Sequence, residues 1–386
     1  MTVQRGFPTS EYEARVGKAQ RLMAEAGLAA LLLTTEPEVR YFTGFLTRFW
    51  ESPTRPWFLI LPAAGRPVAV IPSIGAHLMG QSWITDIRTW RSPDYGDDGL
   101  SLLTDAFKEL VPPSGKIGVP SALESHLRMP LSDYARLQDA LGPERLVADK
   151  LIMRRLRSVK TDAEISKICH ACTIADRSFA RVRDIARTGV TLDEVFRRFQ
   201  MLCLEEGADW VGYLAGGAGP GGYGDVITPA VSRELASGDV LMLDTGVVWD
   251  GYFCDFDRNY AVGSVPRDVD DAYARLIEAT DAAFEIARPG ATAADLFHAM
   301  DRIVSGGEGG SDAGRLGHGL GMQLTEWPSL IPQDDTVLEP GMVLTLEPGI
   351  EIAPGQTLVH EENIVVSGTG AEYLSAPAPR DLPRLM

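Results

Sequence analysis

The chain has 386 residues, of which 45% are hydrophobic and 23% charged, and its formal net charge is −17. This length and composition predict two packed domains and exclude a globally disordered chain. The acidic excess disfavours nucleic acid and anionic membranes as partners, because both repel a negatively charged chain. The four scattered cysteines do not form a disulfide scaffold and the first residues lack an apolar signal segment, so we expect a cytoplasmic protein.

The first 150 or so residues alternate predicted helices with predicted strands. Apolar residues at helical spacing predict a helix over Thr9–Ala26 that ends at Gly27, and AALLLTT predicts a short buried strand after it. The further elements are two strands in WFLILPAAGRPVAVIP, a helix near Ile74–Trp83, a strand near Ile84–Trp90, a helix at Gly99–Leu110 and a strand in KIGVP. This alternation is typical of an α/β domain, for which we predict the limits 1–152.

Residues 153–386 form the second predicted domain, and their pattern differs. Leu214–Gly224 is rich in glycine, which predicts irregular or tightly turned backbone. Two strands joined by a hairpin turn at Asp250–Gly251 are predicted within Val240–Gly263. Long helices are predicted at Thr161–Arg187, Thr191–Glu206, Asp268–Ile286 and Thr292–Ser305. With the strands that follow, this pattern predicts an α+β domain in which a curved antiparallel sheet carries helices on one side.

Five acidic or imidazole side chains of the second domain stand in apolar, strand-like surroundings. They are Asp244, Asp255, His318, Glu347 and Glu361. Buried carboxylates destabilise a fold unless they are paired or bound to a metal, and four converging carboxylates would repel one another. Divalent cations remove that repulsion, and oxygen ligands with one imidazole suit Mn, Co, Fe or Zn better than soft copper. The pattern therefore predicts a divalent metal site.

These residues stand in the frames LDTG, GYFCD, GHGLG, LEPG and HEEN, in that order along the chain. The order and the frames resemble the pita-bread metallohydrolases, a family that includes aminopeptidase P, prolidase, methionine aminopeptidase and the metal-free creatinase. The segment MRRLRSVKTDAEI also resembles the stretch that opens the catalytic domain in this family. The resemblance implies a C-terminal pita-bread domain preceded by a creatinase-like α/β domain.

The resemblance also implies roles for individual residues. Asp244 is then a ligand of one metal ion, and Asp255 and Glu361 bridge two ions. His318 and Glu347 complete the other site and are the candidate catalytic residues. Glu347 is in addition the general base that deprotonates the attacking water. The implied reaction is hydrolysis of a C–N amide bond, as in Xaa-Pro dipeptidases and aminopeptidases, by a metal-bound hydroxide.

Three positions of this chain differ from the usual residues of the peptidases in the aminopeptidase P and prolidase branch of the family. Ile227 and Thr325 stand where those enzymes usually carry histidines, and Val359 stands where an arginine is common. The departures leave an alternative open, namely an enzyme of a small solute such as an ectoine-hydrolase-like C–N hydrolase or a dimethylsulfoniopropionate-lyase-like enzyme. Because this fold supports several reactions, the fold alone does not decide between a peptidase and an enzyme of a small solute. A catalytically silent binding module is disfavoured, because the set of metal ligands is intact.

The substrate is expected to be a short peptide or another small molecule, and Thr325, Trp327 and Tyr213 are the candidate residues that contact it. In this family the N-terminal domain of one subunit often reaches the other subunit's pocket. The resemblance therefore implies a homodimer in which Arg48, Trp50 or Arg55 contacts the substrate of the neighbouring subunit.

Three charged residues adjoin the predicted ligands and need a separate interpretation. Arg258 matches an arginine that supports the site in the family, and we expect an ion pair between it and Asp257. Strand alternation predicts that His360 points to the face opposite Glu361, outside the ligand set.

Overall fold

The computed structural model describes residues 3–52, 55–306 and 314–385. The chain divides into two compact units, one formed by Gln4–Arg157 and the other mainly by Ser158–Met386. The domain limits 1–152 and 153–386 come from the sequence and remain a prediction that is separate from this division into units.

The N-terminal unit is built on one mixed sheet with helices between its strands. In chain order its elements are α1 (Thr9–Ala26), β1 (Leu28–Leu33), α2 (Glu36–Thr43), β2 (Phe58–Pro62), β3 (Val68–Pro72), α3 (Ala76–Met79), β4 (Asp86–Trp90), α4 (Leu100–Leu110), β5 (Lys116–Val119), α5 (Leu131–Leu141), β6 (Leu146–Ala148) and α6 (Ile152–Ser158). The strand order is β4-β3-β2-β1-β5-β6. β2 is antiparallel to β1 and β3, whereas β3–β4, β1–β5 and β5–β6 are parallel pairs.

Local sequence accounts for most of these elements. The helix α1 has the predicted bounds and ends at Gly27. The φ of Gly27 is 67°, in the left-handed region that a residue without a Cβ adopts without strain. The helix predicted near Ile74–Trp83 is wrong over most of its length, because only a short 3-10 turn and the single turn α3 form there. Gly75 and Gly80 bound α3 and weaken a longer helix at this place.

The C-terminal unit combines helices with antiparallel strands. In chain order its elements are α7 (Asp162–Ala180), α8 (Val182–Ile185), α9 (Leu192–Glu205), β7 (Trp210–Pro220), β8 (Asp239–Trp249), β9 (Tyr252–Phe253), β10 (Phe256–Val262), α10 (Arg267–Ile286), α11 (Ala293–Val304), β11 (Gly317–Gly319), β12 (Glu326–Ser329), β13 (Val343–Leu346), β14 (Gly349–Ala353), β15 (Gln356–Val359), β16 (Glu362–Val366), β17 (Ala371–Tyr373) and β18 (Arg384–Leu385). The predicted helix Thr161–Arg187 is divided into α7 and α8, and the other three long helices lie within one or two residues of their predicted bounds.

Two five-stranded sheets and one hairpin organise these strands. The first sheet has the order β18-β10-β8-β7, with β9 also paired to β8, and the second has the order β12-β11-β13-β16-β17. The hairpin is formed by β14 and β15. All pairs in these sheets are antiparallel except β10–β18. Every residue of β8 and β10 is buried, so polar side chains on these strands need partners inside the protein.

The glycine-rich stretch before β8 is a strand, contrary to the prediction of irregular backbone. β7 pairs with β8 from Trp210 to Pro220, and only the residues after Pro220 turn. A Cβ added at Gly216 would collide with the carbonyl oxygen of Met242 on β8. The glycines here permit a close approach of two backbones, which composition alone does not distinguish from a loop.

The predicted turn at Asp250–Gly251 is confirmed. Asp250 has a φ of 49° and Gly251 a φ of 79°, as a two-residue turn with two left-handed positions requires. The turn returns the chain from β8 through β9 towards β10, and the register places Asp257 opposite Asp244. The fold thereby brings acidic residues from both strands to one place.

Candidate metal centre

The five candidate ligands lie on strands, or directly beside strand ends, of the C-terminal unit. Asp244 is in β8, and Asp255 is in the link between β9 and β10. His318 is in β11, Glu347 follows β13, and Glu361 links β15 to β16. Residues that are more than 100 positions apart in the sequence therefore reach one site only through the pairing of strands.

The ligand atoms form two groups that share one residue. In the first group, atoms of Asp255, His318 and Glu347 all lie within 4.8 Å of one another. In the second group, atoms of Asp244, Asp255 and Glu361 meet the same limit. Two cations bound to these groups would therefore be neighbours joined through Asp255.

The first group contains its own positive charge when no metal is bound. The His318 Nε2 atom is 2.8 Å from Glu347 Oε1 and 3.3 Å from Asp255 Oδ2. Burial lowers the pKa of His318, but the two carboxylates outweigh burial and raise this pKa to about 10. The Nδ1 atom is 2.8 Å from the Gly319 carbonyl oxygen and donates to it, which directs Nε2 towards the carboxylates.

The second group consists of carboxylates alone. Burial and the neighbouring acidic residues raise the pKa values of Asp244 and Glu361 well above the ordinary range. The Asp244 Oδ1 atom is buried and has no hydrogen-bond partner. A buried carboxylate with an unpartnered oxygen, close to two further carboxylates, fits a bound cation and is unfavourable without one. The donor set of this group therefore fits a hard or borderline divalent metal.

Glu347 differs from the other ligands in its access to solvent. Its side chain is 14% exposed, compared with 5% for Asp255 and 3% for His318. Burial acts to raise the pKa of Glu347, but His318 and Arg315 outweigh it and hold this pKa below the ordinary value. A carboxylate that is ionised and open to the solvent can accept a proton from an attacking water.

Asn363 fixes the position of the shared ligand. Its Oδ1 accepts the Asp255 backbone N–H at 2.9 Å, and its Nδ2 donates to the Asp255 carbonyl at 2.5 Å. The Cys172 thiol adds a contact of 3.4 Å to the same Oδ1. Sequence analysis did not single out Asn363, although four polar residues in a row, HEEN, directly before the apolar IVV are a signal of a buried polar network.

Arg258 and His360 organise the side of the site away from solvent. Arg258 forms an ion pair with Glu362 at 3.0 Å and donates to the Glu361 carbonyl at 3.1 Å. The ion pair expected between Arg258 and the Asp257 side chain is wrong, because the guanidinium contacts only the backbone carbonyl of that residue. The Asp257 carboxylate instead lies 3.3 Å from His360 Nδ1 and accepts the Glu361 backbone N–H at 2.9 Å.

This buried network is electrically balanced. His360 also lies 3.5 Å from Glu362, so each basic group in the network faces carboxylates. Burial opposes ionisation of Glu362, but Arg258 and His360 lower its pKa to about 2. His360 therefore supports Glu361 through Asp257, whose carboxylate accepts the Glu361 backbone N–H. His360 and Glu361 lie in the link between β15 and β16, so the predicted strand alternation does not apply to them.

The three candidate substrate residues lie in or directly beside the strands β7 and β12. Tyr213 is in β7 beside Asp244, and burial and that carboxylate raise its pKa above the ordinary value. Thr325 is half-buried, and its Oγ1 accepts from Arg315 at 3.4 Å. Trp327 is half-buried in β12. Contacts of these three residues with a substrate remain a prediction.

A cleft of about 630 Å³ adjoins the ligands. Glu347 and Glu361 form part of its wall, and Val359 lines it as well. The remaining lining includes apolar residues and the arginines Arg275 and Arg315. This cleft gives a small substrate access to both ligand groups.

Two family models match this chain. The model of metallopeptidase family M24 matches residues 166–368, and the model of the creatinase/prolidase N-terminal domain matches residues 15–159. The chain belongs to metallopeptidase family M24. Membership confirms a hydrolase with a creatinase-like N-terminal domain and a C-terminal pita-bread domain, and it implies the use of divalent metal.

Individual relatives agree with this assignment. The probable dipeptidase PepE of Mycobacterium bovis is 33% identical over 366 residues, which cover 94% of this chain and 93% of the relative. The crystal structure of dipeptidase PepE from Mycobacterium ulcerans has a TM-score of 0.85 at 30% identity and covers 98% of this chain and 99% of its own. A recombinant prolidase from Thermococcus sibiricus has a TM-score of 0.86 at 25% identity, with 98% and 100% covered.

Other expectations concern the surroundings of the protein. No helix among residues 3–52, 55–306 and 314–385 is both long and apolar enough to cross a membrane.

Trp50 is buried and packs against Phe45 and Trp57 within the N-terminal unit. The homodimer, the contacts of Arg48, Trp50 or Arg55 with a neighbouring subunit's substrate, and the cytoplasmic location remain predictions.

Proposed function

We propose that this chain is a dipeptidase that uses two divalent metal ions and hydrolyses the amide bond of Xaa-Pro dipeptides. The observation that carries the proposal is the position of Asp255, which belongs to both ligand groups. A shared carboxylate between two groups of this size is the arrangement required by a pair of neighbouring cations. The dipeptidase and prolidase relatives support a peptide as the substrate.

The two ions would lower the pKa of a water molecule and polarise the carbonyl of the bond to be cleaved. Mn, Co, Fe and Zn are each compatible with four carboxylates and one imidazole. The first group of this proposed centre is Asp255, His318 and Glu347, and the second is Asp244, Asp255 and Glu361. Asp255, which belongs to both groups, would bridge the two ions. The family resemblance gives Glu361 the same bridging role, although Glu361 belongs to the second group alone.

Glu347 is the proposed general base. It is the ligand with the greatest exposure in its group, and it lines the cleft. It can therefore take a proton from the attacking water and pass it to the departing nitrogen. His318 has its Nδ1 atom on the Gly319 carbonyl, so its Nε2 atom would face the first ion, and His318 does not carry the proton itself in this scheme.

The small-solute alternative is not favoured by the relatives, which are dipeptidases and a prolidase. The neutral residues Ile227, Thr325 and Val359 were the reason to consider that alternative. These three positions alter the substrate side, while the two ligand groups are complete. The departures therefore concern which peptides bind rather than whether hydrolysis takes place.

Turnover of Ala-Pro and Gly-Pro by protein loaded with Mn or Co tests the proposal. We expect hydrolysis that depends on the added metal, and a kcat at least about 100-fold lower in Glu347→Gln. Metal content is measured in the same samples, because Glu347 is also a proposed ligand. The matched control is Glu351→Gln, an exposed glutamate of the same cleft outside both groups, which should retain the wild-type kcat.

Two results would contradict the proposal separately. Failure of fully metal-loaded protein to cleave any dipeptide would reject the substrate class. An unchanged kcat in Glu347→Gln with unchanged metal content would reject the role of Glu347 and leave the metal centre standing.

A further inference from the structure

The cleft beside the ligands has both apolar and charged walls. Val226, Leu316, Ile350 and Val359 all line it. Where the resemblance to X-Pro peptidases places histidine or arginine, this chain carries Ile227, Thr325 and Val359, which bear no charge. The positive charge that the described lining residues supply to the cleft therefore comes from arginines at other positions.

Those arginines are Arg275 and Arg315, and their surroundings differ. Arg275 is half-buried, and one of its Nη atoms donates to the carbonyls of Ile303 and Val304 at 3.0 and 2.8 Å. Its guanidinium is thus held to the end of α11. Arg315 is exposed, and the described contact of its guanidinium is a long hydrogen bond of 3.4 Å to the Thr325 hydroxyl. The guanidinium of Arg315 is the one that a ligand in the cleft can approach.

Arg315 also lies close to the reacting groups. It lines the same cleft as Glu347 and Glu361, which belong to the first and the second ligand group. After burial and His318, the charge of Arg315 is also among the influences on the pKa of both Asp255 and Glu347. A group that binds Arg315 would therefore sit a short distance from the two metal positions. A residue that binds the far end of a very short substrate must lie this close to the metal positions.

A dipeptide places a carboxylate one residue beyond its only amide bond. Arginine binds carboxylates through two parallel hydrogen bonds, which gives both affinity and a fixed orientation. We propose that Arg315 binds the C-terminal carboxylate of the substrate and so selects dipeptides with a free C-terminus. This assignment rests on the proposed dipeptidase function and adds the residue that sets the length and the terminal group of the substrate.

The anchor has a consequence for peptide length. Each added residue moves the carboxylate by up to about 3.5 Å, so a tripeptide cannot keep its first amide bond at the metals and its carboxylate on Arg315 in the same pose. Cleavage of the first bond of a tripeptide should therefore lose the contribution of Arg315. The apolar wall next to Arg315 favours an apolar C-terminal residue, such as proline, because a charged side chain would lose its hydration there.

The test compares Ala-Pro with its C-terminal amide, which differs only in lacking the carboxylate. Wild-type, Arg315→Met and Arg315→Lys proteins are loaded with Mn, and metal content is verified. We expect the wild type to favour the free acid in kcat/KM by roughly 10- to 100-fold, the usual effect of a charge-assisted hydrogen bond. In Arg315→Met this preference should disappear through a higher KM for the acid, and any loss caused by the changed charge beside Glu347 should be shared equally by the acid and the amide. Arg315→Lys should keep part of the preference.

Binding provides a readout that is independent of turnover. Calorimetry with a reduced-bond analogue of Ala-Pro, and with the amide of that analogue, should show the same loss of preference in Arg315→Met. Arg275→Met is the matched control, since it changes the other arginine of the cleft, and it should keep the wild-type preference for the acid. If the wild type binds the acid analogue through Arg315 but cleaves no dipeptide, the proposed function fails and the anchor stands.

Two outcomes would overturn the anchor. An equal loss for acid and amide in Arg315→Met would show that Arg315 acts on the reacting groups and not on the carboxylate. An unchanged preference for the acid in Arg315→Met would show that another group binds the carboxylate.

Discussion

The two ligand groups differ in how their negative charge is balanced. The first group contains His318, whose ring lies between Asp255 and Glu347 and forms charged contacts with both in the absence of metal. The second group has no cation, and its Asp244 Oδ1 atom lacks a hydrogen-bond partner. The protein itself can stabilise the first group, whereas the second depends on a bound metal ion. Loss of metal should therefore affect the two groups in different ways.

The largest effect is expected from Asp255→Ala, because this residue is common to both groups. We expect the metal content to fall from about two ions to less than one per chain. Activity should fall at least about 1,000-fold, since a metal ion contributes several kcal/mol to the transition state. Elemental analysis and dipeptide turnover measure the two effects, and the exposed Asp335→Ala is the control. Retention of two ions by Asp255→Ala would contradict the shared-ligand geometry.

The contrast between the groups is tested in metal-free protein by His318→Ala and Glu361→Gln. His318→Ala leaves two buried carboxylates without their cation and should lower the free energy of unfolding by about 3–5 kcal/mol. Glu361→Gln removes a charge from a group of carboxylates and should raise the free energy of unfolding. Urea denaturation after chelation measures both. Changes of the same sign in the two variants would remove the distinction between the groups.

The pH dependence of stability should also reverse with metal. In the metal-free protein, burial raises the pKa of Asp255 to about 6 and those of Asp244 and Glu361 well above their ordinary values. Between pH 5 and 7 the unfolded chain has largely lost these protons. The folded chain keeps those of Asp244 and Glu361 for longer and releases that of Asp255 only near pH 6, so stability falls as pH rises. Metal binding requires ionised ligands, so metal-loaded protein should become more stable over the same range.

Urea midpoints at pH 5, 6 and 7, with a chelator and with saturating Mn, give both slopes. Glu347 and Glu362 have lowered pKa values and are ionised in both folded and unfolded states over this range, so they do not alter the sign. A metal-free protein that gains stability from pH 5 to 7 would show that the carboxylates of the second group are balanced by another charge.

The smallest of these effects is expected from Asn363→Ala. This change removes both hydrogen bonds that hold the Asp255 backbone but no ligand atom. Loss of a group that orients a ligand typically weakens metal affinity by about 10- to 100-fold. Competition with a metal chelator measures the affinity, and Cys172→Ala, which removes only the weak thiol contact at 3.4 Å, should change it far less. Equal affinities of Asn363→Ala and wild type would assign Asn363 to packing alone.

The elements that the sequence predicted well are those determined by local pattern. The long helices follow apolar spacing and cap residues, as at Thr161 and Thr292, where side chains bond back to the first turn. The turn at Asp250–Gly251 follows from residues that accept positive φ. The frames of the five candidate ligands pointed to residues that the fold does bring together in two groups.

Tertiary contacts decided the features that the sequence did not predict. The strand β7 depends on the close approach of Gly216 to β8, which local composition presents as a loop. The partner of Asp257 is His360, more than 100 residues away, rather than the adjacent Arg258. The contacts of Asn363 with Asp255 and of Arg315 with the cleft depend on strand pairing across the domain. Such pairs become visible only in the folded chain.

The number of metal ions required for activity tests the central claim most directly. Metal-free protein is titrated with Mn or Co, and bound metal per chain is measured together with the rate of Ala-Pro hydrolysis. The two-group geometry predicts that the rate rises to a maximum at two ions per chain. A maximum rate at one ion, or full activity in protein that contains no metal, would contradict it.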